Sequence, residues 1–123
     1  MTDLGSFGDL PTDTPFAGIA RRVLTTAKAT VQEYRFEPGA TFPKHHHPEE
    51  QITLVLEGSL SFTTGRETHT LAAGGWSVVV GDEPHGITAG PDGARFLAVL
   101  VPPRAGSDTY TLTDASESQE LPS

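Results

Sequence analysis

Three consecutive histidines, His45-His46-His47, stand shortly before Gln51 in the stretch GATFPKHHHPEEQITLVLEG, which is bounded by Gly39 and Gly58. Side chains of an extended segment alternate faces, so His45 and His47 point one way and His46 the other. Two imidazoles on one side of a strand can hold one first-row metal ion. A turn at Pro48-Glu49-Glu50 then lets the next strand begin at Gln51, whose amide oxygen can return to the ion as a third ligand. A fourth ligand must come from elsewhere. In VVVGDEPHG an apolar strand ends in a Gly-Asp-Glu-Pro turn that delivers His85. Imidazole suits Zn, Cu, Fe and Ni, and Mn once oxygen donors join it, so the expected cofactor is one divalent transition metal: Zn, Fe, Mn, Ni or Cu. A histidine triple by itself is equally at home in a solvated turn. What makes the pattern specific is its combination with a polar ligand heading a strand and a distant histidine ending another.

The ligand set His45, His47, Gln51 and His85 is neutral throughout, so the ion keeps its full double charge. A bound water becomes more acidic for that reason; three-histidine zinc lowers a water pKa to about 7. Anionic substrates such as enolates, carboxylates or β-diketonates also bind more readily, and four protein ligands leave roughly two positions of an octahedron open. Candidate catalytic groups are Glu50, or its neighbour Glu49, as a general base beside the ligands, and Tyr34. The bland alternatives are a solvated Pro-Glu-Glu turn and a core tyrosine; a shorter turn would make Glu49 or Glu50 the ligand in place of Gln51. Tyr34, Phe36, Phe62, Trp76 and Phe96 are candidate pocket walls, although aromatic residues of strands are more often core. Arg35 and Arg95 could anchor a carboxylate or lie on the surface, and His46 and His69 are spare imidazoles.

The elements that must position these groups are strands. A chain of 123 residues with 13 Gly, 10 Pro and no long periodic apolar helix reads as one all-β domain with a modest core. Alternating segments span 16–25, 29–36, 52–57, 59–64, 67–71, 76–80 and 94–101, with a shorter piece at 86–89; Glu57-Gly58 and Gly90-Pro91-Asp92-Gly93 read as turns. On the 52–57 strand, Ile52, Leu54 and Leu56 share one face, while Thr53 and Val55 share the face of Gln51. Residues 1–15 read as a flexible arm, unless Leu4, Phe7 and Leu10 pack on the barrel or a partner; 16–104 form the domain, and 105–123 a disordered polar tail. Without cysteine there is neither a disulfide framework nor a thiolate metal site. Eight basic against sixteen acidic residues give a net charge of −8, which repels phosphate backbones and argues against a nucleic-acid partner. No apolar run approaches the ~20 residues of a membrane helix, and no signal-like leader is present, so a cytoplasmic protein with no membrane partner is expected.

The stretch from Gly39 to Gly58 resembles the first motif of the cupins: a Gly, five residues, HxH, three or four residues, a Glu or Gln, six residues and a Gly. It is matched at Gly39, His45, His47, Gln51 and Gly58. The segment Leu71 to Gly86 resembles the second motif, a Pro-x-Gly, a short strand and a His, with Ala72 in place of the Pro, Gly74 in register and His85 as the ligand. The usual ligand Glu is here Gln51, and an Asn often found four residues after the last His is Ala89. The resemblance, over about Tyr34 to Val101, implies a single-domain double-stranded β-helix, or jelly-roll, barrel with a three-His-one-Gln metal site. It also implies a homodimer paired through strands, for which uncovered sheet edges give an independent reason. Small cupins bearing this glutamine are associated with non-oxidative Lewis-acid chemistry on oxygen-rich small molecules, by isomerase, cyclase or lyase routes. A metal-dependent dioxygenase is the second expectation, and a non-catalytic small-molecule-binding barrel the third.

Overall fold

The computed structural model describes residues 2–65, 67–104 and 110–113. The strands are β1 (Ile19–Thr25), β2 (Thr30–Phe36), β3 (Thr41–His46), β4 (Glu50–Thr64), β5 (Glu67–Ala72), β6 (Trp76–Val79), β7 (His85–Val101) and β8 (Thr111–Leu112). They form a curled sheet in which β1, β2, β7, β3 and β8 are neighbours in that order, while β4 pairs with β5, β6 and β7. All pairings are antiparallel. The all-β character is as the alternating pattern implied, and the jelly-roll barrel as the resemblance implied.

Two long strands replace the four short ones expected. Glu57-Gly58 and Gly90 to Gly93 are not turns: β4 and β7 run through them, and their pairing register shifts between Val55 and Glu57 and between Gly58 and Leu60. The chain bends there so that one strand pair can serve both walls of the barrel. Gly58 (φ +74°) and Gly93 (φ +76°) lie at the bend, in the left-handed region that favours glycine. A Cβ on Gly58 would collide with the Gly93 carbonyl oxygen, and one on Gly93 would come within 2.6 Å of the Phe36 carbonyl oxygen. A glycine flanked by strand residues signals either a turn or such a bend, and only the tertiary pairing separates them.

The interior holds Ile19, Tyr34, Phe36, Phe42, Val55, Leu60, Phe62, Ile87 and Phe96, all buried. Tyr34 stacks on Phe96 with centroids 5.1 Å apart, and Phe36 meets Phe96 edge-on at 5.1 Å. Trp76, one of the candidate pocket walls, instead lies on the outside and is 65 % exposed. Arg35 and Arg95 are outside as well, gathered on the buried carboxylate of Glu33, with Arg95 Nε donating to Glu33 Oε2 at 2.9 Å. Both are structural counter-ions rather than substrate anchors.

The segment read as a flexible arm carries a 3-10 turn at Phe7–Asp9, capped by the Ser6 side chain. It is fastened to β1 at Asp13, through reciprocal backbone hydrogen bonds with Arg21 of 2.9 Å and a fork of Arg21 Nε and Nη2 on the Asp13 carboxylate. That pairing joins residues eight apart across a turn, which a reading of local periodicity does not see. Of the tail expected to be disordered, only 110–113 are described. Thr111 and Leu112 pair with His46 and His45, and Thr113 donates to the Lys44 carbonyl. The rest of the tail lies outside the described residues.

Candidate metal centre

Strand β3 brings His45 into register opposite His85 at the start of β7, with ring centroids 4.3 Å apart. His47 follows β3 immediately, and its ring lies 5.0 Å from that of His85. The three histidines are 5 %, 2 % and 0 % exposed for His45, His47 and His85, and a nitrogen from each lies within 4.8 Å of the others. His46, of opposite parity, is left out, and His69 is on the surface beside Glu67.

The histidine tautomers are set by the backbone. His45 Nδ1 lies 2.8 Å from the Pro43 carbonyl oxygen, His47 Nδ1 3.1 Å from that of Glu49, and His85 Nδ1 2.9 Å from that of Glu83. A carbonyl can only accept, so each Nδ1 carries the proton and each Nε2 presents a lone pair. Gln51 is oriented the same way: its Nε2 donates to Thr53 Oγ1 at 3.0 Å, which turns Oε1 toward the histidines. That oxygen stands 3.0 Å from His47 Nε2 and 3.3 Å from His85 Nε2. Two lone-pair nitrogens facing a lone-pair oxygen at these distances repel one another unless a cation lies among them. The donor set therefore fits a divalent transition metal, with an outer shell of carbonyls holding each ring.

Burial, the largest cause, lowers the pKa of His45 to about 3 and of His85 to about 4, and also lowers that of His47. All three are neutral at pH 7, as ligands must be. The unfolded chain takes up protons below about 6.5 that the folded chain refuses, so stability is full above that pH and falls as the solution is acidified toward 4. We expect the midpoint of urea unfolding in EDTA to be flat between pH 8 and 7 and to drop steadily from about pH 6 to 4. An unchanged midpoint over that interval would show that the histidines are not buried as neutral groups.

The expected catalytic groups fare differently. Tyr34 lines the interior cavity beside the ligands, with Gln32, Phe42, His45, Gln51, Phe96 and Arg104, a narrow space of only about 10 Å³. Its hydroxyl donates to Gln32 Oε1 at 3.3 Å and is hydrogen-bonded by Arg21. Burial raises the phenol pKa while Arg21 and Arg104 pull it down, so the phenol stands protonated with two cations ready to stabilise its anion. Glu50 is exposed on the opposite face of β4 from Gln51 and does not enter the site. Strand parity is the reason: β4 begins at Glu50, so that residue and Gln51 diverge. The carboxylate that does approach is Glu49, 6 % exposed, with Oε1 3.4 Å from His47 Nδ1 and 3.7 Å from Arg104 Nε.

Arg104, Gln32 and Arg21 are the residues that sequence reading missed. Arg104 follows Pro102-Pro103 as the last residue of the 16–104 domain; its backbone N–H donates to Thr30 Oγ1 at 2.8 Å and its side chain lines the cavity. Parity could have found Arg21, which alternates with inward Ile19, and Gln32, which alternates with inward Tyr34. Tyr110 packs edge-on against Phe42 and His45, with centroids 5.3 Å and 5.4 Å away.

A barrel of this topology with three inward histidines and an amide at its centre defines a class, and residues 32–100 match the cupin domain model. The chain belongs to the cupin family. Among curated proteins it is similar to the dimethylsulfoniopropionate lyase DddW of Ruegeria pomeroyi, 39 % identical over 61 residues, which are 50 % of this chain and 40 % of that protein. The chain thus spans less than half the length of that relative. Among solved structures it is similar to an RmlC-like cupin from Shewanella frigidimarina (TM-score 0.76, 24 % identity, 85 % of this chain and 95 % of that one). KdgF from Halomonas sp. superposes with TM-score 0.74 at 23 % identity, over 83 % of this chain and 97 % of that one. The oxalate decarboxylase of Lactobacillus farciminis, as its formate complex, gives TM-score 0.82 at 22 % identity, over 91 % of this chain and 36 % of that one. These three likenesses concern the fold. No helix among the described residues is long and apolar enough to cross a membrane.

Proposed function

We propose that this chain is a metal-dependent enzyme acting on a small carboxylate by non-oxidative Lewis-acid chemistry of the lyase or isomerase type. The observation that carries this reading is the pairing of an acceptor-only ligand set with a buried cation, Arg104, in the same cavity. A divalent ion held by His45, His47, His85 and Gln51 supplies polarisation of a substrate oxygen. The other roles belong to the chain. Arg104, 8 % exposed and with its pKa lowered by burial against the pull of Tyr34 and Glu49, is a poorly solvated cation suited to a carboxylate. Gln32 Nε2, buried without a hydrogen-bond partner, is a second donor lining that cavity. The protonated Tyr34 hydroxyl can give a proton to the reacting molecule and take one back, its anion stabilised by Arg21 and Arg104. Phe42, Phe96 and Ile87 give the cavity apolar walls that limit the entry of water. The name of DddW, a dimethylsulfoniopropionate lyase, describes an enzyme acting on a small carboxylate and supports the substrate class.

The test is to load the full chain with Zn, Mn, Fe, Ni or Cu in turn. Each form is incubated with small carboxylates, including dimethylsulfoniopropionate, and followed by NMR and an oxygen electrode. Turnover without oxygen uptake supports the proposal. Oxygen consumption would make the chain a dioxygenase, and binding without turnover a ligand-binding barrel. For any substrate found, Arg104→Gln is expected to raise KM by about 10–100-fold, the range of a charge-assisted hydrogen bond, while leaving metal content unchanged. An unaltered KM would remove Arg104 from substrate binding.

A further inference from the structure

Arg21 is an unusual occupant of a barrel interior. Its side chain is fully buried on the inward face that it shares with Ile19, and burying a cation costs more than a well-packed apolar residue in its place. What meets it is Asp13, a residue of the arm that precedes β1, whose own side chain is 49 % exposed. Arg21 Nε donates to Asp13 Oδ1 at 3.0 Å and Nη2 to Oδ2 at 2.6 Å. The guanidinium is planar, so two points of attachment fix its plane and the directions of its other N–H groups. The same guanidinium donates to the Tyr34 hydroxyl, which in turn donates to Gln32 Oε1 at 3.3 Å. Asp13 is itself held in place. Its N–H and carbonyl both pair with the Arg21 backbone at 2.9 Å, and Thr12 beside it accepts from Arg22 Nε at 2.9 Å.

From this chain of contacts we propose that Asp13 is a positioning residue of the centre: through Arg21 it holds the Tyr34 hydroxyl in the pose from which that group exchanges a proton with the substrate. The inference rests on the proton-transfer role of Tyr34 and deepens it. When the phenol proton passes to the reacting molecule, the electron pair and the negative charge stay on the Tyr34 oxygen, which takes a proton back to close the cycle. An N–H already fixed beside that oxygen stabilises the charge as it forms, without the reorganisation that a loose cation needs. Burial works against the Arg21 charge, and the Asp13 carboxylate and Tyr34 more than offset it, so the guanidinium is the more firmly a cation. Anchoring the arm does not by itself call for this arrangement. The backbone pairs and the Thr12 contact already fasten residues 12 and 13, and a surface ion pair adds little to an anchor. The fork instead commits a carboxylate of the arm to a buried cation that also bonds Tyr34, a wall of the cavity.

Asp13→Asn separates positioning from anchoring: it keeps the shape and the backbone pairs but turns an NH₂ group toward a guanidinium that can only donate. Tyrosine occurs only at 34 and 110, so in the zinc-loaded full chain, labelled with carbon-13 at tyrosine Cζ, the Tyr34 signal is the one that survives in Tyr110→Phe. That signal is expected to move in Asp13→Asn and to stay in Thr12→Ala, with the circular dichroism of the barrel unchanged in both. The measurement needs no substrate. For any substrate turned over, Asp13→Asn should lower kcat about 10–100-fold and leave KM within about threefold of wild type. Added to Tyr34→Phe, it should cause no further loss, because both act through one group. Should Asp13→Asn fail to fold, Asp13→Glu displaces the charge by one methylene and is expected to move the signal less and to lower kcat about three- to tenfold. An unmoved Tyr34 signal in the folded variant would overturn the inference alone. So would an equal loss of kcat in the wild-type and Tyr34→Phe backgrounds, which would make Asp13 an anchor and nothing more. A moved signal with Tyr34→Phe fully active would overturn the role of Tyr34 itself, and the inference with it.

Discussion

His85→Ala is expected to reduce bound metal to less than a tenth of that in the wild-type chain and to lower turnover by at least ~10³-fold. The expectation follows from how few donors there are. Among the described residues, His45, His47 and His85 form the one histidine cluster, with Gln51 beside it, and each imidazole is already committed to its role by a carbonyl on its far nitrogen. Loss of an outer hydrogen-bond partner typically costs about 10–100-fold in metal affinity, and loss of a ligand must exceed that. Added metal should raise the melting temperature of the wild-type chain and leave that of His85→Ala unmoved, since a ligand stabilises only the state that binds it. His69→Ala, remote on the surface, is the control and should behave as wild type. Equal metal uptake by wild type and His85→Ala would mean that the ion sits elsewhere.

Tyr34→Phe should lower turnover by about 10²–10⁴-fold, the usual range for a positioned proton donor, while metal content stays near wild type. The substitution removes one oxygen and no ring. The stack on Phe96 at 5.1 Å and the edge contact with Phe42 at 6.2 Å are retained, and Arg21 keeps its fork on Asp13. A purely structural role would therefore show as a small loss of stability with activity intact. A catalytic role shows as lost activity with stability nearly intact, together with a changed pH dependence of kcat. Retention of more than about a tenth of wild-type turnover would leave Tyr34 as a wall of the cavity.

Much of the centre was legible in the sequence because strand parity is a strong constraint. His45 and His47 had to share a face that excluded His46, and Gln51, Thr53 and Val55 had to share the other strand's inner face; both arrangements are present. Parity counted from the wrong residue also explains the failure at Glu50, which was treated as part of a turn when it is the first residue of β4 and so faces outward. Contacts distant in sequence were not legible. Arg104 reaches the cavity only because its backbone is held by Thr30, and Asp13 clasps Arg21 across a turn. Gly58 and Gly93 were read locally as turn residues, whereas what they permit is the close approach of two strands that bend together. Isolated aromatic residues carried the least information: Trp76 and Phe96 look alike in sequence, yet one lies on the outer face and the other is fully buried.

The central claim is that His45, His47, His85 and Gln51 hold one divalent ion. Its most direct test is elemental analysis of the chain, purified without a histidine tag and after reconstitution, beside His47→Ala. One equivalent of Zn, Fe, Mn, Ni or Cu per chain, lost in the variant, is the predicted result. No metal in the native protein and no uptake on reconstitution would contradict it, leaving three neutral histidines packed inside a barrel.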